Sequence, residues 1–318
     1  MAIYIAGSMC FDRIMTFPGN FREHILEDKL HILNVSFMVD RMEEKRGGCA
    51  GNIAYTLALL AERPLVLAAV GKDFDSYAAF MLDCDLPLDG LRHCPDLFTG
   101  LCYITTDMRG NQLTGFYPGA MSMPCGYTFP NLKPQEDIAI VSPGNVDDMR
   151  SLPRFYRERG VRYIYDPGQQ IPVLSGEDML DALTGAYALT SNDYELDMIC
   201  KHTGKSRTEL LQHVQHIITT YGEKGCSVTG ASLQGEQVHV HAVPVAKVVD
   251  PTGAGDAHRA GILKGLTCGF DLPDAVRLGA TCASFAIEHY GTQQHSFDKA
   301  AFVARHETAF GKLPQPLF

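Results

Sequence analysis

Short apolar runs alternate with helical patterns along this chain, and that alternation constrains its architecture more than any other feature. Ile3 to Gly7 reads as a buried strand, Asn52 to Glu62 as an apolar helix and Leu65 to Val70 as the next strand. Asp73 is placed as the N-cap of a helix from Phe74 to Leu82. Further strands are expected at Ile138 to Ser142, Arg162 to Tyr165, Ala188 to Thr190 and Ile217 to Thr220. Helices fall between them, around Val146 to Arg159 and Tyr194 to Lys201. This order implies a mostly parallel sheet covered by helices on both faces. Such sheets bind ligands at the carboxyl ends of their strands.

Two stretches interrupt the alternation. Phe17 to Lys45 is a long insertion after the first strand. Gly100 to Tyr117 reads as a hairpin, turning near Arg109-Gly110-Asn111. Long inserted segments are often lids, so a small β lid is expected beside the main sheet.

Charge and cysteine spacing narrow the function. The chain has 318 residues and a net charge of −10, which argues against a general nucleic-acid binder. It does not exclude an anionic ligand, provided the fold builds a local positive field. None of the ten cysteines forms C-x-x-C or sits near a His pair at zinc spacing, so buried thiols in a reducing cytosol are expected. Met1 to Phe11 is too short, and lacks the basic start, for a secretory leader. No apolar run reaches the roughly 18 residues of a membrane span. A cytoplasmic protein that binds neither membrane nor nucleic acid is expected.

Phosphate motifs are the first test for a glycine-rich α/β chain. Gly204-Lys205-Ser206 looks like the end of a P-loop, but Ile199 stands where its partner glycine belongs. Gly253 and Gly255 are followed by His258 where a dinucleotide fingerprint needs its third glycine. The strong segment is Asp250-Pro251-Thr252-Gly253-Ala254-Gly255-Asp256, a turn of small residues opening a helix. The first amides of a helix are unsatisfied and lie at its positive end, which makes an anion cradle without any side-chain charge. Asp256, in the first turn, could take a proton from an attacking hydroxyl, or simply be a favourable first-turn acid.

The segment D-P-T-G-A-G-D-x-x-x-A-G-I-L resembles the carboxy-terminal signature of the ribokinase-like (PfkB) carbohydrate kinases. Gly47-Gly48-Cys49-Ala50-Gly51-Asn52-Ile53-Ala54 resembles their amino-terminal glycine-rich signature. Asn192-Asp193-Tyr194-Glu195 resembles N-x-x-E, and Thr220-Tyr221-Gly222-Glu223-Lys224-Gly225 resembles T-x-G-x-x-G. The resemblance implies a single ribokinase-like α/β three-layer sandwich over residues 1–318, with lid segments at about 13–45 and 98–120. It also implies roles. Asp256 would be the general base, and Gly253, Ala254 and Gly255 the anion hole for the transferred phosphoryl group. Asn192, Thr220, Gly222 and Gly225 would lie along ATP. Glu195 would organise Mg2+, partly through water. Asp250 and Thr252 would mark a monovalent-cation position, for example for K+. Glu288 to Gln293 would flank the adenine.

At the acceptor end, Ser8, Asp12, Gly48 and Asn52 would hold a sugar, Asp12 by accepting two vicinal hydroxyls. The wording of Thr105-Thr106-Asp107, Asn111-Gln112, Phe116 to Met121 and Asp166 to Gln170 resembles bacterial adenosine kinases. Phe116 would stack on the purine, and Gln169 or Gln170 would bond the base or the ribose edge. His258 departs from the aromatic often found at its position and is expected to pack. The implied reaction is ATP-dependent phosphorylation of the 5′-hydroxyl of adenosine, in a monomer or homodimer. A sugar or other nucleoside acceptor, or a non-catalytic nucleoside sensor, are the alternatives.

Overall fold

In the first strand, β1 (Ile3–Ala6), alternate residues enter different cores. Ile3 and Ile5 join one apolar cluster, and Tyr4 and Ala6 join another on the opposite face. A strand buried on both faces is what a helix-covered parallel sheet requires. The computed structural model describes residues 1–25, 32, 34–230, 233 and 236–318.

The chain continues through β2 (Cys10–Thr16), α1 (Phe21–His24), β3 (Arg41–Gly47), α2 (Cys49–Leu59), β4 (Leu65–Gly71), α3 (Asp75–Asp83) and β5 (Leu91–Cys94). Next come β6 (Gly100–Thr106), β7 (Gln112–Tyr117), β8 (Ile138–Val141), α4 (Val146–Arg159), β9 (Arg162–Tyr165) and α5 (Gly176–Leu183). Then follow β10 (Ala188–Asn192), α6 (Asp193–Thr203), α7 (Arg207–Leu210), β11 (His216–Thr220), β12 (Cys226–Gly230) and β13 (Val238–Val240). Three helices end the chain: α8 (Ala254–Thr267), α9 (Leu272–Ala286) and α10 (Lys299–Phe310).

Nine strands form the main sheet in the order β13-β12-β11-β10-β9-β8-β1-β4-β5. From β11 to β5 neighbours run parallel; β12 and β13 are added antiparallel. The expected sheet with helices on both faces is therefore present. One layer holds α2, α8 and α9, whose Ile53, Leu263 and Leu278 share a core with Ile5; the other holds α4 to α6. Helices α8 and α9 cross closely because Gly261 lies against Gly279 and Gly265 against Ala275, where a Cβ would meet backbone. That crossing fixes the aim of the start of α8.

A second, four-stranded sheet has the order β3-β2-β6-β7. The hairpin β6–β7 turns through 107–111, where the Asp107 carboxylate accepts the N–H groups of Arg109 and Asn111. The small sheet begins at Cys10 and ends its second strand at Gly47, slightly outside the 13–45 segment expected. Residues 26–31 and 33 of that segment lie outside the described residues.

One capping expectation is corrected. Asp73 does not cap α3, whose N-cap is Phe74 without a side-chain bond. Asp73 Oδ1 instead accepts the Thr99 N–H at 2.7 Å and ties the strand exit to the start of the hairpin. Among the described residues no helix is long and apolar enough to cross a membrane, and all ten cysteines are unpaired.

Candidate active site

Gly253 adopts φ +78° as the N-cap of α8, a left-handed conformation that favours glycine, and a Cβ there would crowd Thr292. The turn spends one amide on itself, because Ala254 N–H donates to the Pro251 carbonyl at 3.2 Å. The N–H groups of Gly253, Gly255 and Asp256 have no acceptor among the described residues. Of the Gly253–Gly255 span expected, the two glycine amides are thus open, and Asp256 adds a third.

Asp256 is buried, and burial raises its pKa above the ordinary carboxylate range. The Arg259 charge and a hydrogen bond from Asn52 oppose that rise. Asn52 Nδ2 donates to Asp256 Oδ2 at 2.8 Å. Asn52 is itself oriented by Gln293, whose Nε2 donates to Asn52 Oδ1 at 2.9 Å and to the Tyr77 hydroxyl at 2.5 Å. Tyr77 in turn donates to the Gly47 carbonyl at 3.0 Å. Three segments far apart in sequence, around residues 47–52, 77 and 293, therefore hold one carboxylate in place.

Gly51 makes this network possible, since a Cβ on it would run into the Tyr77 hydroxyl. We predict that Gly51→Ala lowers kcat by about tenfold or more and costs about 1–3 kcal/mol, as overpacked sites do. Steady-state kinetics and thermal melting would check this. Unchanged kcat would mean that the Tyr77–Gln293 link does not position Asp256.

The residues expected at the acceptor side gather around the start of α2. Ser8 Oγ accepts the Cys49 N–H at 3.0 Å. Gly48 turns the chain at φ +90°, where a Cβ would strike the Ser8 carbonyl. The Asp12 carboxylate lies against Gly47, 2.7 Å from where a Cβ would be. Burial pushes the Asp12 pKa up to about 6. Pairing in the small sheet sets Lys45, Asp12, Cys102 and Phe116 side by side on one face. Phe116 is two strands from Asp12, roughly 10 Å at normal strand spacing, and it is half exposed. Gln170 Nε2 donates to the Gly144 carbonyl at 2.7 Å, so it braces a loop. Gln169 is exposed, and its Oε1 accepts from the Cys49 thiol at 3.5 Å.

The nucleotide-side residues gather at the ends of two adjacent strands. Asn192 on β10 pairs in register with Thr220 on β11. Asn192 and Glu195 form a capping box: Asn192 Oδ1 accepts the Glu195 N–H at 2.7 Å, and Glu195 Oε2 accepts the Asn192 N–H at 2.8 Å. Gly222 and Gly225 both take positive φ, and a Cβ on Gly225 would meet the Val240 carbonyl. Asp250 joins two loops, accepting the N–H of Thr252 at 2.9 Å and of Gly291 at 2.8 Å. In the 288–293 segment, expected beside the adenine, Gln293 turns inward to Asn52.

Sequence reasoning missed Arg259. Its Nε lies 2.5 Å from Asp166 Oδ2, with Asp166 1% and Arg259 13% exposed. Its Nη1 presses on Gly255 where a Cβ would be. The expectation of a cradle without side-chain charge is therefore corrected, because a cation sits beside the turn. The available signal was spacing: Arg259 follows Gly255 by four residues and Asp256 by three, and so shares their helix face. His258 packs as expected. Burial lowers its pKa to about 3, so it is neutral, and it contacts Cys226. The rejected P-loop is a helix junction, with Gly204 as the C-cap of α6 and Ser206 as the N-cap of α7.

The profile of the pfkB family of carbohydrate kinases matches residues 8–300. The solved structure of Burkholderia thailandensis nucleoside kinase in complex with inosine aligns with a TM-score of 0.86 at 37% identity, covering 99% of this chain and 100% of that one. The Methanocaldococcus jannaschii nucleoside kinase is 28% identical over 263 residues, 82% of this chain and 85% of its own length. Arabidopsis thaliana ribokinase, solved with ribose and ATP, shares the fold at a TM-score of 0.79 and 19% identity.

Proposed function

We propose that this chain, which belongs to the pfkB family of carbohydrate kinases and is a phosphotransferase acting on a hydroxyl group, phosphorylates nucleosides with ATP, adenosine at its 5′-hydroxyl in particular. The observation that carries this reading is the 47–52 segment, where β3 ends and α2 begins. Gly47 lies against the Asp12 carboxylate, and Asn52 donates to the Asp256 carboxylate. A ribose laid along that segment would turn its 2′,3′-diol to Asp12 and its 5′-oxygen to Asp256. Phe116, in the same cross-strand row as Asp12, would stack on the base when the small sheet closes.

In the proposed reaction a lone pair of the 5′-oxygen attacks the γ-phosphorus as its proton passes to Asp256. The bond from that phosphorus to the bridging β–γ oxygen breaks, and its electron pair leaves with ADP. The Gly255 and Asp256 amides meet the charge that spreads over the transferred oxygens. Asn192, Thr220, Gly222 and Gly225 would flank the leaving nucleotide.

Among the described residues no group of three or more His, Cys, Asp or Glu side chains is arranged to hold a metal. Glu195 spends one oxygen on its cap and keeps the other. That suits Mg2+ held mainly by phosphates and water, neutralising phosphate charge when bound. The Asp250 carboxylate uses two of about four lone-pair directions. With Thr252 it could take K+, and equal activity in sodium, potassium and neither would remove that idea.

Incubation with Mg-ATP and a panel of adenosine, inosine, cytidine, ribose and fructose, read as ADP and 5′-monophosphate, tests the reading. Adenosine should give the highest kcat/KM and free sugars the lowest. Equal use of ribose would overturn it in favour of a sugar kinase, and no turnover would leave a sensor. A broader nucleoside kinase is the second reading, favoured by inosine bound to the Burkholderia protein. Phe116→Ala should raise the adenosine KM about tenfold, the worth of a base–aromatic stack, and leave the ribose KM unchanged.

A further inference from the structure

Arg259 combines three properties that a purely structural arginine rarely combines. It is nearly buried at the start of a helix. Its Nη1 lies on Gly255, beside the open amides of the α8 turn. Its Nε is paired with Asp166 Oδ2, but neither Nη donates a hydrogen bond to a described residue, and Asp166 Oδ1 has no partner. Burying an arginine–carboxylate pair costs several kcal/mol per ion, and idle donors leave that cost unrelieved.

The charges around it locate its target. Asp256 lies one turn earlier on α8, Asp166 at the exit of β9 and Glu195 in the first turn of α6, and all three interact with the Arg259 charge. One cation thus faces three carboxylates, one on the acceptor side and one on the nucleotide side. The transferred group must pass between those two sides.

We propose that Arg259 is a catalytic residue whose Nη groups contact the equatorial oxygens of the phosphoryl group in flight, with Asp166 fixing the guanidinium from behind. The inference rests on the kinase reading above. In-flight charge is largest in the transition state, so the effect belongs in kcat rather than in ground-state affinity. An arginine at a transferring phosphoryl group is worth about 10³ or more in kcat.

The test uses Arg259→Gln and Arg259→Lys, with kcat, KM and calorimetric affinities for adenosine and ADP. It adds the affinity for ADP with aluminium fluoride and adenosine, a mimic of the transferring phosphoryl group. Because Arg259→Gln strands the Asp166 charge, the paired variant Asp166→Asn/Arg259→Gln, which removes both buried charges, carries the test if the single one fails to fold. Arg259→Gln is expected to lose about 10³ in kcat and a similar factor in affinity for the aluminium fluoride complex. Adenosine and ADP affinities should stay within about threefold. The loss should deepen at the acid end, where Asp256 without the Arg259 charge protonates more readily, but about 10³ of it should persist at pH 9, and added ethylguanidinium should restore part of it. Recovery at high pH would show that Arg259 only keeps Asp256 ionised, and would overturn the proposal. So would a kcat within a few-fold of wild type. A wild-type enzyme inactive on the whole panel would instead overturn the kinase reading, and this inference with it.

Discussion

Asp256→Asn is expected to lower kcat by about 10³, within the usual 10²–10⁴ contribution of a general base, while adenosine affinity stays within a few-fold. The amide is nearly isosteric, and its oxygen can still accept from Asn52, which donates to Asp256 at 2.8 Å. The position is kept and only the proton acceptor is lost. The pH profile separates this role from that of a simple first-turn acid. Burial raises the Asp256 pKa, and its neutral form cannot accept a proton, so wild-type kcat at saturating adenosine should fall as pH drops through a value above the ordinary 3.9 of aspartate. The residual rate of the Asn variant should lack that acid limb. Near-normal turnover in the variant would remove Asp256 from the mechanism.

Asp12→Asn should weaken adenosine binding by roughly 30- to 150-fold, the worth of two hydroxyl bonds to an ionised carboxylate, with kcat much less affected. The pH dependence has a definite sign. Only the ionised carboxylate accepts from both hydroxyls, so wild-type affinity should fall as pH drops through about 6, whereas the variant should be flat. Stability runs the other way. A carboxylate whose folded pKa lies above its unfolded value favours the fold most below about pH 4, and that contribution is lost as pH rises through about 6. The variant lacks this loss, so at pH 7 it should be more stable by up to about 2 kcal/mol. Calorimetric titrations from pH 5 to 8 and thermal melts would show both effects. An adenosine affinity equal to wild type would contradict contact with the diol.

What the sequence could show depended on how local the signal was. Strand and helix periodicity placed β1, β4 and β8 to within a residue or two, because burial on both faces leaves continuous apolar runs. The turn before α8 was legible because only small residues fit it. Asp73 misled because an aspartate before a helix looks like a cap, and its partner Thr99 lies 26 residues away. Arg259 was illegible as a site residue for the same reason, since helix spacing gives its face but not Asp166. Tyr77 gave no signal, because a tyrosine in a helix is ordinary, and Gln293 stood out only as the end of the segment expected at the adenine, with nothing local to aim it at Asn52. Asn192 and Glu195 carry two meanings at once, as a family motif and as a capping box.

The sequence separations in the base network bear on how the protein gains its activity. The bond from Asn52 to Asp256 spans 204 residues, and those from Gln293 to Tyr77 and Asn52 span 216 and 241. During synthesis, amino-terminal elements can emerge and pack while the partners that complete the site are still inside the ribosome. Long-range contacts of this kind are also slow to close in refolding. Catalytic competence is therefore a late property of the chain, gained only once Gln293 has emerged to orient Asn52, and a product truncated before it would carry most of the fold without a finished site.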